Sequence, residues 1–393
     1  MQRVAFTESR AKEYFILDDL VKQTSMPKEH FFDVIIKELV DNALDETESH
    51  GMAPEVDVGI ELSEPDANNN RLITICVSDN GPGMPEELIQ KILDYGSRTS
   101  TKMALRSPLR GAQGNALKTI IGIPVALMRK GKIVIESRNL KHIITAKLDP
   151  AGNPRINHVI ENSSRGEGTS IKLSIPFSKR NPLWWLVTYA LLNPHVTFSY
   201  NKGREDENKF PALGKIKKYI STDRTSPHWY TYGEMERLIY SYINHSENGG
   251  KDFTLREFLM TFRGLQGNKT RKITDCIDIK YMSQFRENPD LVEPLFTEMK
   301  GLAATPKPNS LGSIGSKYMQ KRLLDSFGAN KINYKKITGY VGSIPFVVEV
   351  AFGFAEQGGV FYGTNFSPSY KDPTGNYSFH ARLGKEYLVS GVF

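Results

Sequence analysis

Three short blocks between residues 38 and 118 constrain this chain more than any other feature of its sequence. They are Glu38-Leu39-Val40-Asp41-Asn42-Ala43-Leu44-Asp45, then Asp79-Asn80-Gly81-Pro82-Gly83-Met84, then Arg110-Gly111-Ala112-Gln113-Gly114-Asn115-Ala116-Leu117-Lys118. The first lies in residues 31–47, where Phe32, Ile35, Ile36, Leu39, Val40 and Ala43 recur at helical spacing and predict an amphipathic helix. Residues three and four apart are neighbours on a helix, so Glu38, Asn42 and Asp45 share one side of it. The second block follows the apolar run 71–78, which predicts a strand delivering Asp79 into a tight glycine turn. The third predicts a glycine-rich loop opening a helix at 115–121, an arrangement that presents backbone N–H groups to anions. It is not a Walker A loop, because the G-x-x-x-x-G-K-[ST] spacing is missing.

The rest of the chain supplies the frame. Residues 1–25 are polar apart from Tyr14, Phe15 and Ile16, and predict an N-terminal arm outside the core. Residues 56–62 alternate as a half-buried strand, with a turn at Asn68-Asn69-Asn70. Residues 85–93 predict a helix with proline at its start and Glu86 and Glu87 in the first turn, as the helix dipole favours. The polar, basic stretch 96–108 predicts a mobile loop. Strands are expected at 132–137, 142–148, 169–175 and 340–354. Helices are expected at 181–192, 232–244 and 255–262, and a linker at 306–310.

At 393 residues the chain has room for two or three domains, and its 39% hydrophobic and 24% charged residues are those of a soluble protein. It has no apolar run of membrane-spanning length, and residues 1–10 lack the apolar centre of a signal peptide. A cytoplasmic location without membrane contact is therefore expected. Cys76 and Cys276 are too few and too far apart for a disulfide framework or zinc site, and Cys76 is expected at a buried strand position. The net charge of +7 argues weakly for a polyanionic partner.

The three blocks, in this order, resemble the ATP site of the GHKL superfamily (gyrase, Hsp90, histidine kinases, MutL). The resemblance implies an α+β fold, the GHKL (Bergerat) ATPase α/β sandwich, with ATP and Mg²⁺ as cofactors. Glu38 would orient and deprotonate the water that attacks the γ-phosphate. The amide oxygen of Asn42 would complete a Mg²⁺ shell, with Asp45 or Asp41 supporting it through water. Asp79 would accept the exocyclic amine of adenine, with Gly81, Gly83 and Met84 beside it, the glycines admitting the base without a Cβ. Gly111, Ala112, Gln113, Gly114, Asn115 and Ala116 would meet the phosphates. Lys118 either stays on the helix or reaches a phosphate. Gly166-Glu167-Gly168-Thr169 matches the superfamily's G-x-G-T block and implies that Thr169 adjoins the adenine. A histidine kinase needs a phosphoacceptor histidine upstream, and only His30, just outside the helix, precedes Glu38. The joint presence of Glu38 and Asn42 argues against a pseudoenzyme.

The flanks resemble the B-type subunit of DNA topoisomerase VI. Lys12-Glu13-Tyr14-Phe15 resembles its N-terminal strap, and Tyr95-Gly96-Ser97-Arg98 its ATP lid, adding Ser97 and Arg98 to the candidate site. Leu192-Asn193-Pro194-His195-Val196-Thr197-Phe198 resembles the strand entry after its ATPase domain. Ser226-Pro227-His228 opens a stretch similar to its helix–two-turns–helix insert. Leu311-Gly312-Ser313-Ile314-Gly315 and Pro345-Phe346-Val347-Val348-Glu349-Val350 resemble the start of its transducer. The implied domains are a strap (1–25), a GHKL domain (26–205), a small helical insert (206–285) and a partial α/β transducer (286–393). The implied function is the Mg-dependent ATPase subunit of a type IIB topoisomerase-like complex. It would form an ATP-dependent homodimer that gates duplex DNA passage by a DNA-cleaving A-type subunit. The alternative is a MutL- or MORC-like DNA clamp without strand passage.

Two departures stand out. Ala116 replaces the family's lid glycine, which a helical backbone would tolerate. The transducer is short, ending at Phe393, so a fragment or a reduced relative is expected. Lys385 lies in a segment resembling that near the family's phosphate-sensing lysine, with Lys371 as a second candidate; a solvated lysine is the plainer reading of each. None of the 17 tyrosines has a context that marks a cleavage nucleophile. The charge points to a DNA-contact surface at Lys215, Lys217, Lys218, Arg271 and Lys272.

Overall fold

The computed structural model of the protein describes residues 10–95, 105–111, 116–150, 152–202, 206–356, 358–370 and 387–392. The first part of the chain runs α1 (Leu17–Thr24), α2 (Phe31–Ser49), β1 (Glu55–Leu62), β2 (Leu72–Asp79), α3 (Glu86–Leu93), α4 (Ala116–Met128), β3 (Lys130–Ser137), β4 (Leu140–Leu148), β5 (Pro154–Asn162), β6 (Thr169–Pro176), α5 (Leu183–Leu192), β7 (Thr197–Lys202) and β8 (Asp206–Phe210). The strands form one sheet in the order β5-β4-β3-β6-β2-β1-β7-β8. Every neighbouring pair is antiparallel except β1 and β7.

Period-two alternation decides which face is covered. Val56, Val58 and Ile60 of β1 and Ile73, Ile75 and Val77 of β2 are buried, and α2, α4 and α5 share their core. The opposite face of β2 is polar: Thr74 pairs with Ser174 at 2.8 Å and Ser78 with Ser170 at 2.9 Å. Cys76 sits on that polar face, half-buried, its Sγ 3.4 Å from Ser170 Oγ, and is not the core position its apolar neighbours suggested.

The expectation of an arm outside the core fails for residues 10–25. Tyr14, Phe15 and Leu20 are buried in the main core. The contact is backbone-close: a Cβ on Gly122 of α4 would lie 1.6 Å from the Tyr14 carbonyl oxygen. Only glycine lets the segment lie flat on that helix.

A second core is built by α6 (Tyr232–Glu247), α7 (Leu255–Met260), α8 (Asn268–Cys276) and α9 (Val292–Leu302), around Met235, Phe258, Phe262 and Met299. Helices α6 and α7 each start with a capping box, Thr231 with Glu234 and Thr254 with Glu257. Each box satisfies two N-terminal backbone donors that the helix itself cannot.

The remaining elements are α10 (Ser316–Phe327), β9 (Asn330–Val341), β10 (Ile344–Phe354), β11 (Val360–Thr364), β12 (Ser367–Pro368) and β13 (Tyr387–Val392). They give a second sheet ordered β12-β11-β13-β10-β9. The strand expected at 340–354 is β10, Ile344–Phe354; residues 340 and 341 end β9, and the chain turns between the two at Gly342, whose φ of +60° suits a residue without a Cβ. Leu191 and Leu192 of α5 pack into the core of this second sheet with Met319, Leu323 and Phe361. The two sheets therefore meet through α5. No helix among the described residues is long and apolar enough to cross a membrane.

Candidate nucleotide site

Helix α2 is the common wall to which the other two blocks attach. The Asp79 turn lies against its C-terminal half: a Cβ on Gly81 would sit 3.4 Å from Thr47 and 3.5 Å from Glu46. The third block is held by Arg110, whose side chain is 1% exposed. Arg110 donates to Glu48 at 2.8 and 3.1 Å, to Asp45 at 3.2 Å and to Asn193 Oδ1 at 2.5 Å. Gly111 follows directly, so this guanidinium fixes where the glycine loop begins.

Asp79 is clamped by one oxygen only. Its Oδ1 accepts from Gly81 N at 2.8 Å and Thr169 N at 3.1 Å. Its Oδ2 has no hydrogen-bond donor among the described residues and is open to one from a ligand. Burial raises the Asp79 pKa above its usual value, against the lowering effect of the two backbone donors. Gly168 makes the clamp possible. Its φ is +71°, and a Cβ there would lie 1.9 Å from the Asp79 carbonyl oxygen. In the G-x-G-T block this glycine thus serves close packing of strand ends, which brings the Thr169 amide to Asp79. Met84 N bonds Ser137 Oγ at 2.7 Å, and Gly83, at φ +79°, leaves 2.6 Å between a hypothetical Cβ and that same oxygen.

The polar residues of α2 divide sharply. Asp33, Lys37, Asp41, Asp45, Glu46, Thr47, Glu48 and Ser49 each have a partner. Glu38 and Asn42, both half-buried and one turn apart, have none among the described residues. Burial raises the pKa of Glu38; Lys37 opposes this, while Asp41 and Asp45 add to it. The sequence placed Asp41 and Asp45 beside a metal shell, but the structure commits them elsewhere. Asp41 accepts from Lys37 at 2.7 Å, Tyr189 at 2.8 Å and Ser367 at 2.8 Å. Asp45 turns to Arg110.

Ala116 is the first residue of α4, in helical backbone, so its methyl group is accommodated. Lys118, 1% exposed, donates to the Asp94 carbonyl at 2.5 Å and lies 5.6 Å from the centre of the Tyr95 ring. Ser97, Arg98, Ala112, Gln113, Gly114, Asn115, Lys371 and Lys385 lie outside the described residues.

Sequence reasoning missed the buried charge cluster around Glu48. Besides Arg110, Glu48 receives His195 Nε2 at 2.8 Å and Lys218 Nζ at 2.8 Å to each of its oxygens. Burial alone would raise its pKa, but Arg110, His195 and Lys218 hold it far below the carboxylate range. Burial and the Arg110 charge push Lys218 down to about 7, against the pull of Glu48. Lys218 is therefore an internal ion-pair partner and not part of a DNA-facing surface; Lys215, Lys217, Arg271 and Lys272 are exposed. A signal was available: Asp41, Asp45 and Glu48 recur at i, i+4 and i+7, a stripe of like charge that needs a cation once buried.

Residues 28–179 match the family model described as histidine kinase-, DNA gyrase B-, and HSP90-like ATPase. This is a GHKL fold in a chain like the B-type subunit of topoisomerase VI. Among its relatives is the B-type subunit of Type 2 DNA topoisomerase 6 from Saccharolobus solfataricus, 26% identical over 340 residues, or 81% of this chain and 61% of the relative. The same subunit from Saccharolobus shibatae is 27% identical over 342 residues, again 81% of this chain and 61% of the relative. The chain thus spans 61% of the length of the curated relatives it matches. A solved structure of the topoisomerase IV ATP-binding domain of Francisella tularensis, in complex with a small-molecule inhibitor, aligns with 44% of this chain and 84% of its own. The identity is 20% and the TM-score 0.28, too low to carry weight.

Proposed function

We propose that this chain binds ATP in the angle between α2, the Asp79 turn and the Gly111 loop, and hydrolyses it with Glu38 as general base. The observation that carries the reading is the isolation of Glu38 and Asn42 on a helix whose other polar side chains are all engaged. Both are half-buried, so each can still reach water or a ligand while its neighbours are committed to the fold. The open Oδ2 of Asp79 suits the exocyclic amine of adenine. The triphosphate would run from there toward Gly111 and the N-terminus of α4, since a helix N-terminus favours anions. Glu38 would hold the attacking water and take its proton, a role that needs the carboxylate ionised. Asn42 fits Mg²⁺ as a single neutral oxygen ligand, since magnesium keeps several waters and phosphate oxygens. When bound, the ion would neutralise phosphate charge.

Calorimetric titration with ATP tests the site. Asp79→Asn should weaken ATP binding roughly 10-fold or more, the worth of a hydrogen bond to a charged group. No binding to the unaltered chain at millimolar ATP, or an unchanged affinity in Asp79→Asn, would remove the placement.

The similarity to the B-type subunits of topoisomerase 6 supports a larger role for this site. ATP would favour a homodimer that gates duplex DNA for a DNA-cleaving A-type subunit, binding one arrangement better than the other. A MutL- or MORC-like clamp would use the same pocket without strand passage. ATP-dependent DNA relaxation on adding an A-type subunit separates the two. DNA contact through Lys215, Lys217, Arg271 and Lys272 should give an affinity that falls steeply with salt; a flat response would count against that surface.

A further inference from the structure

Residues 105–110 run directly into Gly111 and belong to no helix or strand, so other segments have to hold them in place. Leu105 and Leu109, both half-buried, pack on the second core, built by α6–α9. Arg106 Nη2 lies 3.1 Å from Oε1 of Glu234, the glutamate of the α6 capping box. From the other side Arg110 is gripped by Glu48 and Asp45, and Asn365 Nδ2 donates to the Leu109 carbonyl at 3.4 Å.

The strongest hold is on the backbone of Arg106. Its N–H donates to Tyr230 Oη at 2.8 Å, and its carbonyl accepts from Thr225 Oγ1 at 2.5 Å. The two hydroxyls are 3.1 Å apart. A hydroxyl has one proton to give, and Thr225 gives its own to the carbonyl, so Tyr230 is the donor between them. The result is a closed ring of three hydrogen bonds in which each hydroxyl both donates and accepts. Thr225 and Tyr230 are each 3% exposed, so water does not replace a missing member. Such bonds reinforce one another, and removing one partner leaves buried groups unpaired. Both anchors are fixed in turn. The Tyr230 ring meets Phe262 edge-on, centroids 5.8 Å apart, and the Thr225 carbonyl accepts from Arg263 N at 2.7 Å.

We propose that Thr225 and Tyr230 are positioning residues for nucleotide: by gripping the backbone of Arg106 they hold residues 105–110, and with them Gly111, where the phosphates are received. The proposal rests on the reading of the Gly111 loop as the phosphate end of the site. It gives the second core a part in nucleotide use, although α6–α9 supply none of the groups proposed to touch ATP. A site whose competent form is only partly populated binds its ligand more weakly in proportion, so loosening the ring weakens ATP without altering the chemical step.

Tyr230→Phe in the full chain keeps the aromatic ring and removes both of its hydrogen bonds. Without nucleotide, amide hydrogen exchange at residues 105–110 should quicken about tenfold while α6–α9 stay protected. The KM for ATP should rise about tenfold and kcat change less than about twofold. Thr225→Val should do the same, Thr225→Ser should keep the values of the unaltered chain, and the double variant should raise KM by less than the product of the two single effects. Should Tyr230→Phe lose its fold, the two Thr225 variants decide alone. Unchanged exchange with unchanged KM would overturn the proposal. Faster exchange at constant KM would also overturn it, since the ring would then only fasten the segment. A lowered kcat at constant KM, or a Thr225→Ser variant as impaired as Thr225→Val, would do so too. If exchange behaved as expected but the unaltered chain bound no ATP, the nucleotide reading would fail first and the proposal with it.

Discussion

Two stripes of one helix obey different rules. Along α2, Asp41, Asp45 and Glu48 face Arg110, Lys218 and His195, and each is engaged. One step around the helix, Glu38 and Asn42 are half-buried and have no partner among the described residues. They stay open to water or a ligand, whereas Asp41, Asp45 and Glu48 are committed to the fold. On the reading proposed above, the contrast separates residues that hold the site together from residues that act in it.

The largest expected effect tests the engaged stripe. Arg110→Ala would remove the buried cation that Glu48, Asp45 and Asp41 share, leaving Glu48 to Lys218 and His195, at a cost of about 3–5 kcal/mol. Urea unfolding would show this as a lowered midpoint; a loss below about 1 kcal/mol would mean the cluster is not the structural half of the comparison. The second test addresses the open stripe. Glu38→Ala should leave the unfolding midpoint unchanged or raise it, retain ATP binding, and lower hydrolysis roughly 10²–10⁴-fold. Joint loss of binding and turnover would contradict its role as base. The smallest effect is one of pH. Burial lifts Glu38 above its ordinary 4.5, so as pH falls through that raised value the base is protonated and kcat declines. An acid limb at or below 4.5 would indicate a solvated carboxylate and blur the distinction between the stripes.

What the sequence disclosed about this arrangement follows the range of the signal. Helix α2 is legible because its apolar residues repeat with the helical period over four turns, and β2 because an apolar run ends abruptly at Asp-Asn-Gly. Glu38, Asn42 and Asp79 follow from those two local patterns and from a family resemblance. Contacts between distant segments leave no such trace. Lys218 reads as one of a basic pair with Lys217, and only its approach to Glu48, 170 positions away, makes it internal. Tyr14 and Phe15 read as a stray apolar strip until Gly122 is seen beneath them. The second arm of the β9–β10 hairpin is legible in its apolar run, whereas β9 buries none of its residues and leaves no strand signal. Strand β5, five of whose nine residues are polar or charged, gives no clear signal because it borders the sheet and buries little.

The ammonium of Lys218 grips both oxygens of Glu48 and lies 4.8 Å from the centre of the Phe366 ring. One charge thereby pins together α2, the stretch leading into the α6–α9 helices, and the tip of the second sheet. A swing of any of these three against the others has to loosen the same pin.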